Sequence, residues 1–137
     1  MEGGGEVCWP YLRSNDLGFP VLNLRIESPF GVSKEVLIRV DTGYDGFLLL
    51  SEERYRRMGF HLSELPRKYW SEGETVTGEV FKLRRALTVV RIPELHMRLE
   101  GYVDTFRGNT EDLVGLRLIE GLKLLFDGPA QRACIFL

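Results

Sequence analysis

The segment Val40-Asp41-Thr42-Gly43 holds the residue types that acid–base hydrolysis requires. Asp41 supplies a carboxylate. Thr42 supplies a hydroxyl that both donates and accepts, suited to locking a loop against a partner. Gly43 lets backbone come close to the acid and leaves an amide free to donate to it. The apolar run Leu37-Ile38-Arg39-Val40 reads as a strand that stops at the triplet, so the acid rides on a rigid element rather than a mobile loop. A later stretch, Asp112-Leu113-Val114-Gly115 followed by Leu116-Arg117-Leu118-Ile119, fits the same chemistry. Activating water with carboxylates takes two of them, one to accept a proton and one to donate. The chain holds one Asp-Thr-Gly, so an enzyme built on it is half of one.

Other chemistries compete poorly. The two histidines, His61 and His96, lie in no metal-ligand spacing and read as ordinary surface or partly buried residues. Ser51 is better explained as a helix cap than as a nucleophile. The glycines follow no phosphate-binding order after a strand. No metal and no cofactor are expected.

Several elements must position these residues. Leu22, Leu24 and Ile26 alternate with Asn23, Arg25 and Glu27, the period of a half-buried strand, and Val36, Ile38 and Val40 repeat it after the break at Ser28-Pro29-Phe30-Gly31. Phe47-Leu48-Leu49-Leu50 reads as a strand buried on both faces. Ser51 then caps a helix with Glu52 and Glu53 in its first turn, Arg56 and Arg57 in its last, and Gly59 beyond. Tyr69 to Phe81, with Gly73 and Gly78, suggests a projecting hairpin. Val80 to Ile92 and Leu95 to Phe106 read as long strands turned by Pro93-Glu94. Leu116 to Glu120 makes a helical turn closed by Gly121, and Leu122 to Phe126 and Ala133 to Leu137 are strands around Asp127-Gly128-Pro129. Short strands, tight turns and one or two short helices predict an all-β fold, a closed barrel or sandwich. Met1 to Phe19 is expected to be a loosely held arm and residues 20–137 the single domain.

At 137 residues the chain can bury one core. A net charge of −2 predicts neither nucleic acid nor an anionic membrane as partner. Arg67-Lys68 and Arg84-Arg85 read as solvated surface. No apolar run approaches the roughly 20 residues of a membrane span, and the N-terminus lacks the pattern of a signal peptide. Cys8 and Cys134 show no framework spacing and are expected as thiols in a reducing cytoplasm, with a disulfide joining the termini as the alternative.

Through Val40-Asp41-Thr42-Gly43 and Leu113-Val114-Gly115-Leu116-Arg117-Leu118-Ile119 the chain resembles the retropepsin-like aspartic proteases, single-domain relatives of pepsin, over about Phe19 to Leu137. The resemblance implies a closed retropepsin-like barrel and a C2 homodimer with one Asp41 from each subunit. It also implies a hairpin flap over an extended peptide or protein substrate, and catalytic Asp41, Thr42 and Gly43. In such enzymes the paired acids share one proton. Tyr44 and Asp45, beside the triplet, and Trp70 and Gly73, at the flap, are candidate substrate-binding residues. Tyr44 is bulkier than the family's usual Ala, Ser or Thr. Arg117 comes one residue later than the family's arginine partner for Asp45, and the flap tip is placed at Ser71-Glu72-Gly73-Glu74. The apolar end, Ala133-Cys134-Ile135-Phe136-Leu137, is expected to be buried across the dimer. A non-catalytic peptide-binding or dimerisation module on the same fold, and an unrelated small barrel, are the competing readings.

Overall fold

Period-two alternation builds the elements that carry the acid. The computed structural model describes residues 5–137. In chain order its strands and helices are β1 (Glu6–Pro10), β2 (Leu12–Ser14), β3 (Leu17–Phe19), β4 (Val21–Glu27), β5 (Ser33–Val40), β6 (Leu48–Leu49), α1 (Glu52–Arg57), β7 (Ser71–Glu74), β8 (Val80–Ile92), β9 (Met97–Thr105), β10 (Leu113–Val114), α2 (Leu116–Ile119), β11 (Lys123–Asp127) and β12 (Arg132–Phe136). The fold is mostly β with short helices, as expected. Strands β4 and β5 pair antiparallel from Val21↔Arg39 to Glu27↔Ser33, and their alternating apolar residues are buried: Leu22, Leu24 and Ile26 on one, Val36, Ile38 and Val40 on the other. Removing these six side chains from water is a main source of stability, at about 1.5–3 kcal/mol for each fully buried aliphatic residue.

Seven strands form one sheet in the order β4-β5-β10-β6-β9-β8-β7, and β4 turns back to pair with β8 at Arg25↔Arg91, Ile26↔Val90 and Glu27↔Val89. The long hairpin of β8 and β9 turns at Pro93–Leu95, and His96 takes the left-handed backbone conformation (φ 52°) that closes it. Helix α1 begins where the Ser51 hydroxyl accepts the Arg54 amide (3.2 Å) and ends before Gly59, whose φ of +84° suits glycine. Tyr55 and Phe60 are buried with ring centroids 5.6 Å apart, seating this segment on the sheet.

Three expectations about the termini need correction. Met1 to Gly4 lie outside the described residues, but from Glu6 the expected arm is ordered structure. Strand β1 pairs with β12, placing Trp9 in the core, and β2 and β3 form a hairpin turned by Asn15 and Asp16, both at positive φ. Strand β1 has its partner at the far end of the chain, a pairing no local pattern announces. Cys8 and Cys134 are not free thiols: this register sets them opposite each other and they form a disulfide. Strand β12 is the middle of the three-stranded sheet β1-β12-β11, so Ala133, Cys134 and Ile135 are already buried within the chain rather than waiting for a partner subunit.

A cross-link closing a loop with a sequence separation of 126 restricts the unfolded chain strongly. Replacing Cys8 by Ser is expected to lower unfolding stability by about 3 kcal/mol in denaturant titrations, and reductant is expected to have the same effect on the wild type. Equal midpoints with and without reductant would contradict it.

Candidate active site

Asp41 follows the last residue of β5, at the point where β10 inserts between β5 and β6. Strand β10 runs parallel to β5 (Leu113↔Arg39, Val114↔Val40) and antiparallel to β6 (Leu113↔Leu49, Val114↔Leu48). The ladder continues past the strands into both loops. The Asp41 amide donates to the Val114 carbonyl (2.9 Å) and the Gly115 amide to the Phe47 carbonyl (3.1 Å). The Leu116 amide donates to the Tyr44 carbonyl (2.9 Å) and the Arg117 amide to the Gly46 carbonyl (3.0 Å). Residues 41–47 are thereby fastened to segment 114–117 by main-chain hydrogen bonds. A Cβ on Gly115 would lie 2.1 Å from the Gly46 carbonyl oxygen, so only glycine permits this approach.

Within the loop the Gly43 amide donates to Asp41 Oδ1 (2.8 Å), and the Tyr44 amide to the Asp41 carbonyl (3.2 Å). The carboxylate is half-buried and Thr42 is exposed. Among the described residues the Thr42 hydroxyl makes no hydrogen bond within the chain, and Asp41 Oδ2 accepts none. Asp112, just before β10, binds the start of α1: its Oδ1 accepts the Ser51 amide (2.8 Å) and its Oδ2 accepts Arg54 Nε (3.1 Å).

No family model matches the chain. Over 116 residues it is 29% identical to an uncharacterized protein of Archaeoglobus fulgidus, a match that covers 80% of this chain and 88% of that one. Among solved structures it is similar to EIAV protease in complex with the inhibitor HBY-793, at a TM-score of 0.51 and 16% identity over 83% of this chain and 99% of the other. The likeness is one of fold, and the fold it supports is retropepsin-like.

Sequence reasoning grouped Asp41, Thr42, Gly43, Tyr44 and Asp45, and all five share this loop. A cavity of about 640 Å³ opens beside it, lined in part by Asp45, Gly46, Ser71, Arg85, Tyr102 and Arg117. Asp45 and Arg117 both face this space without forming an ion pair. Trp70 and Gly73 do not line it. The Trp70 indole donates to the Leu65 carbonyl (2.8 Å), and Gly73 lies under the Phe81 ring, which a Cβ there would meet at 2.6 Å. The projecting hairpin is present, but its tip is not Ser71-Glu72-Gly73-Glu74. Those residues form β7, paired with β8, and the turn is Thr75 to Glu79, with Gly78 at φ +90° and Val76 fully exposed.

Tyr44 turns its hydroxyl inward, donating to Asp104 Oδ2 (2.5 Å). Asp104 is wholly buried, and Arg85 holds it through Nε to Oδ1 (2.9 Å) and Nη2 to Oδ2 (3.3 Å). Arg84 is likewise paired, with Glu64 (2.8 Å) and Glu52 (3.5 Å). The reading of Arg84-Arg85 as solvated surface is therefore corrected: both guanidiniums are partly buried and bind carboxylates. Asp104 and Arg85 escaped sequence reasoning. The available signal was an acid inside the apolar run Tyr102-Val103-Asp104-Thr105-Phe106. Glu6, Cys8 and Cys134 group closely enough to suggest metal ligands, but both sulfurs are spent in the disulfide.

Two expectations follow. Gly115→Ala is expected to cost about 1–3 kcal/mol by forcing the two loops apart, measured by chemical denaturation; wild-type stability would contradict the close approach. The Tyr44 phenol is held above its ordinary range by burial and then by the Asp104 charge and hydrogen bond, and Tyr55 by burial and then by its bond to Glu64. Below pH about 10 folded and unfolded chains both keep these protons and stability is unaffected. Above it the unfolded chain releases protons that the folded chain retains, so stability falls as pH rises. Tyrosinate absorbance is expected to show Tyr44 and Tyr55 ionising only on unfolding, and Tyr44→Phe and Tyr55→Phe each to remove one such late ionisation.

Proposed function

We propose that the chain is one half of a homodimeric aspartic endopeptidase. The observation that carries this reading is the Asp41 carboxylate, half-buried on a loop fastened by backbone to segment 114–117, with one oxygen held by Gly43 and the other uncommitted. Two such loops meeting at a two-fold axis bring two Asp41 side chains together. One, ionised, takes a proton from a water held between them. The other, protonated, hydrogen-bonds the scissile carbonyl and later protonates the leaving amine. Thr42, exposed and with no side-chain hydrogen bond among the described residues, is suited to bonding the opposing loop. The β7–β8 hairpin serves as the flap over an extended peptide, and the pairing of β4 with β8 supports reading the sheet as the closed barrel that the resemblance implies. Asp45, at the wall of the cavity, remains a proposed substrate-side residue, whereas Tyr44 faces Asp104, the Trp70 indole is spent on the Leu65 carbonyl and Gly73 is covered by Phe81.

The partner subunit cannot pair with β12, because β1 and β11 occupy both its edges. The dimer is therefore proposed to form through the outer strand β11, where Leu125 and Phe126 are exposed, with Leu137 exposed just past the end of β12. No nucleic acid, membrane or cofactor enters this reading. No helix among the described residues is long and apolar enough to cross a membrane. A cytoplasmic location is proposed for a cell that keeps intracellular disulfides, as hyperthermophilic archaea do, given Cys8–Cys134.

A second reading, a peptide-binding module without cleavage, is favoured by β7, an edge strand of the large sheet open to strand addition. Purified wild-type protein incubated with a mixed peptide library from acidic to neutral pH is expected to generate new termini. Asp41→Asn is expected to lose about 10³-fold or more of that activity while staying folded and dimeric by sedimentation. Equal cleavage by Asp41→Asn would refute the protease reading, and binding without cleavage by the wild type would favour the module.

A further inference from the structure

Tyr44, Asp104 and Arg85 form a buried polar cluster directly beneath the Asp41 loop, and its presence needs a reason. A buried carboxylate held by a guanidinium is seldom a net gain over apolar packing, since both ions lose hydration. A cluster of this kind earns its place where it fixes one arrangement among several. Here the arrangement is visible. The Tyr44 ring fills the space left by two glycines: a Cβ on Gly46 would come within 2.3 Å of the Tyr44 hydroxyl, and one on Gly115 within 2.6 Å of its ring. The ring is therefore clamped between the halves that the backbone bonds join. Its hydroxyl, whose single proton goes to Asp104 at 2.5 Å, also lies 3.3 Å from the Leu48 carbonyl, at the strand leaving the loop.

Asp104 is anchored in turn. It stands on β9 opposite Arg85 on β8, its backbone carbonyl accepts the Leu50 amide (3.0 Å), and both its carboxylate oxygens accept from Arg85. Arg85 stacks over the Tyr102 ring at 4.6 Å and reaches the wall of the cavity beside Asp45. A continuous path runs from the β8–β9 hairpin through one carboxylate to the residue that ends the Asp41 turn.

We propose that Tyr44, held by Asp104 and Arg85, is a positioning residue that sets the place and direction of the Asp41 carboxylate. The proposal rests on the protease reading, and it adds that the bulky residue after Asp-Thr-Gly faces the scaffold and serves geometry. Tyr44 touches no reacting atom. It acts through the turn, whose last amide donates to the Asp41 carbonyl.

Tyr44→Phe isolates the effect, because it keeps the ring between Gly46 and Gly115, and Asp104 keeps Arg85. The expected result is a fall of about 10- to 100-fold in kcat with KM within about twofold, the signature of a displaced catalytic group. Hydrogen exchange at the amides of Asp41, Leu116 and Arg117 is expected to quicken by about tenfold, while exchange in β4 and β5 is unchanged. Asp104→Asn, which keeps an acceptor for Tyr44, and Arg85→Lys, which keeps the charge, are each expected to retain more activity than Arg85→Ala. Wild-type kcat in Tyr44→Phe, a loss carried by KM alone, or unchanged exchange at the three amides would overturn the proposal. Asp41→Asn in the same assay separates the two ideas. If it cleaves as fast as wild type, or if the wild type does not cleave, the protease reading fails and the exchange measurement alone decides whether Tyr44 positions the loop.

Discussion

The structure depends on one constraint: the Asp41 turn can point an acid outward only if its main-chain polar groups are satisfied by another part of the chain. Four backbone hydrogen bonds between residues 41–47 and segment 114–117 meet that need, and they form only because Gly115 lets the two segments approach to contact. The rest of the fold can be understood as support for this junction. Strand β10 must lie between β5 and β6, and Asp112 must hold α1 by its first turn. The large sheet must present three strand ends at one place. An acid on a free turn would sample many directions, whereas this one is fixed from both sides by bonds that no surface substitution removes.

Polar side chains carry the second level of support, and nearly all of them are charges placed at junctions. Arg84 ties the sheet to α1 and to the connector through Glu52 and Glu64. Arg85 ties β8 to β9 and, through Asp104 and Tyr44, to the Asp41 turn. Arg54 and Asp112 join α1 to β10. Exposed pairs of this type contribute little, but these are partly buried and each connects elements distant in sequence.

Much of this was legible in the residues. The alternation in Leu22-Leu24-Ile26 and Val36-Ile38-Val40 named both strands and their buried face. Ser51 and Gly59 bracketed the helix, and Asp-Thr-Gly with Leu-Val-Gly named the two loops that meet. What escaped had a common cause, dependence on partners far along the chain. Glu6 to Pro10 is a strand because Arg132 to Phe136 lies beside it, and Cys8 finds Cys134 through the same register. Asp104 and Arg85 face one another only once β8 and β9 are paired. The hairpin tip was misplaced because Gly73 drew attention as a turn residue. Its actual use is to admit the Phe81 ring, while Gly78 makes the turn.

The central claim is that two copies of Asp41 face each other across a symmetry axis. A crystal structure of the solution dimer tests it most directly. The account predicts Asp41 carboxylate oxygens of the two subunits within about 3 Å, sharing a proton. Carboxylates well outside hydrogen-bonding reach in every assembly, or a chain that hydrolyses peptides while remaining a monomer, would contradict it.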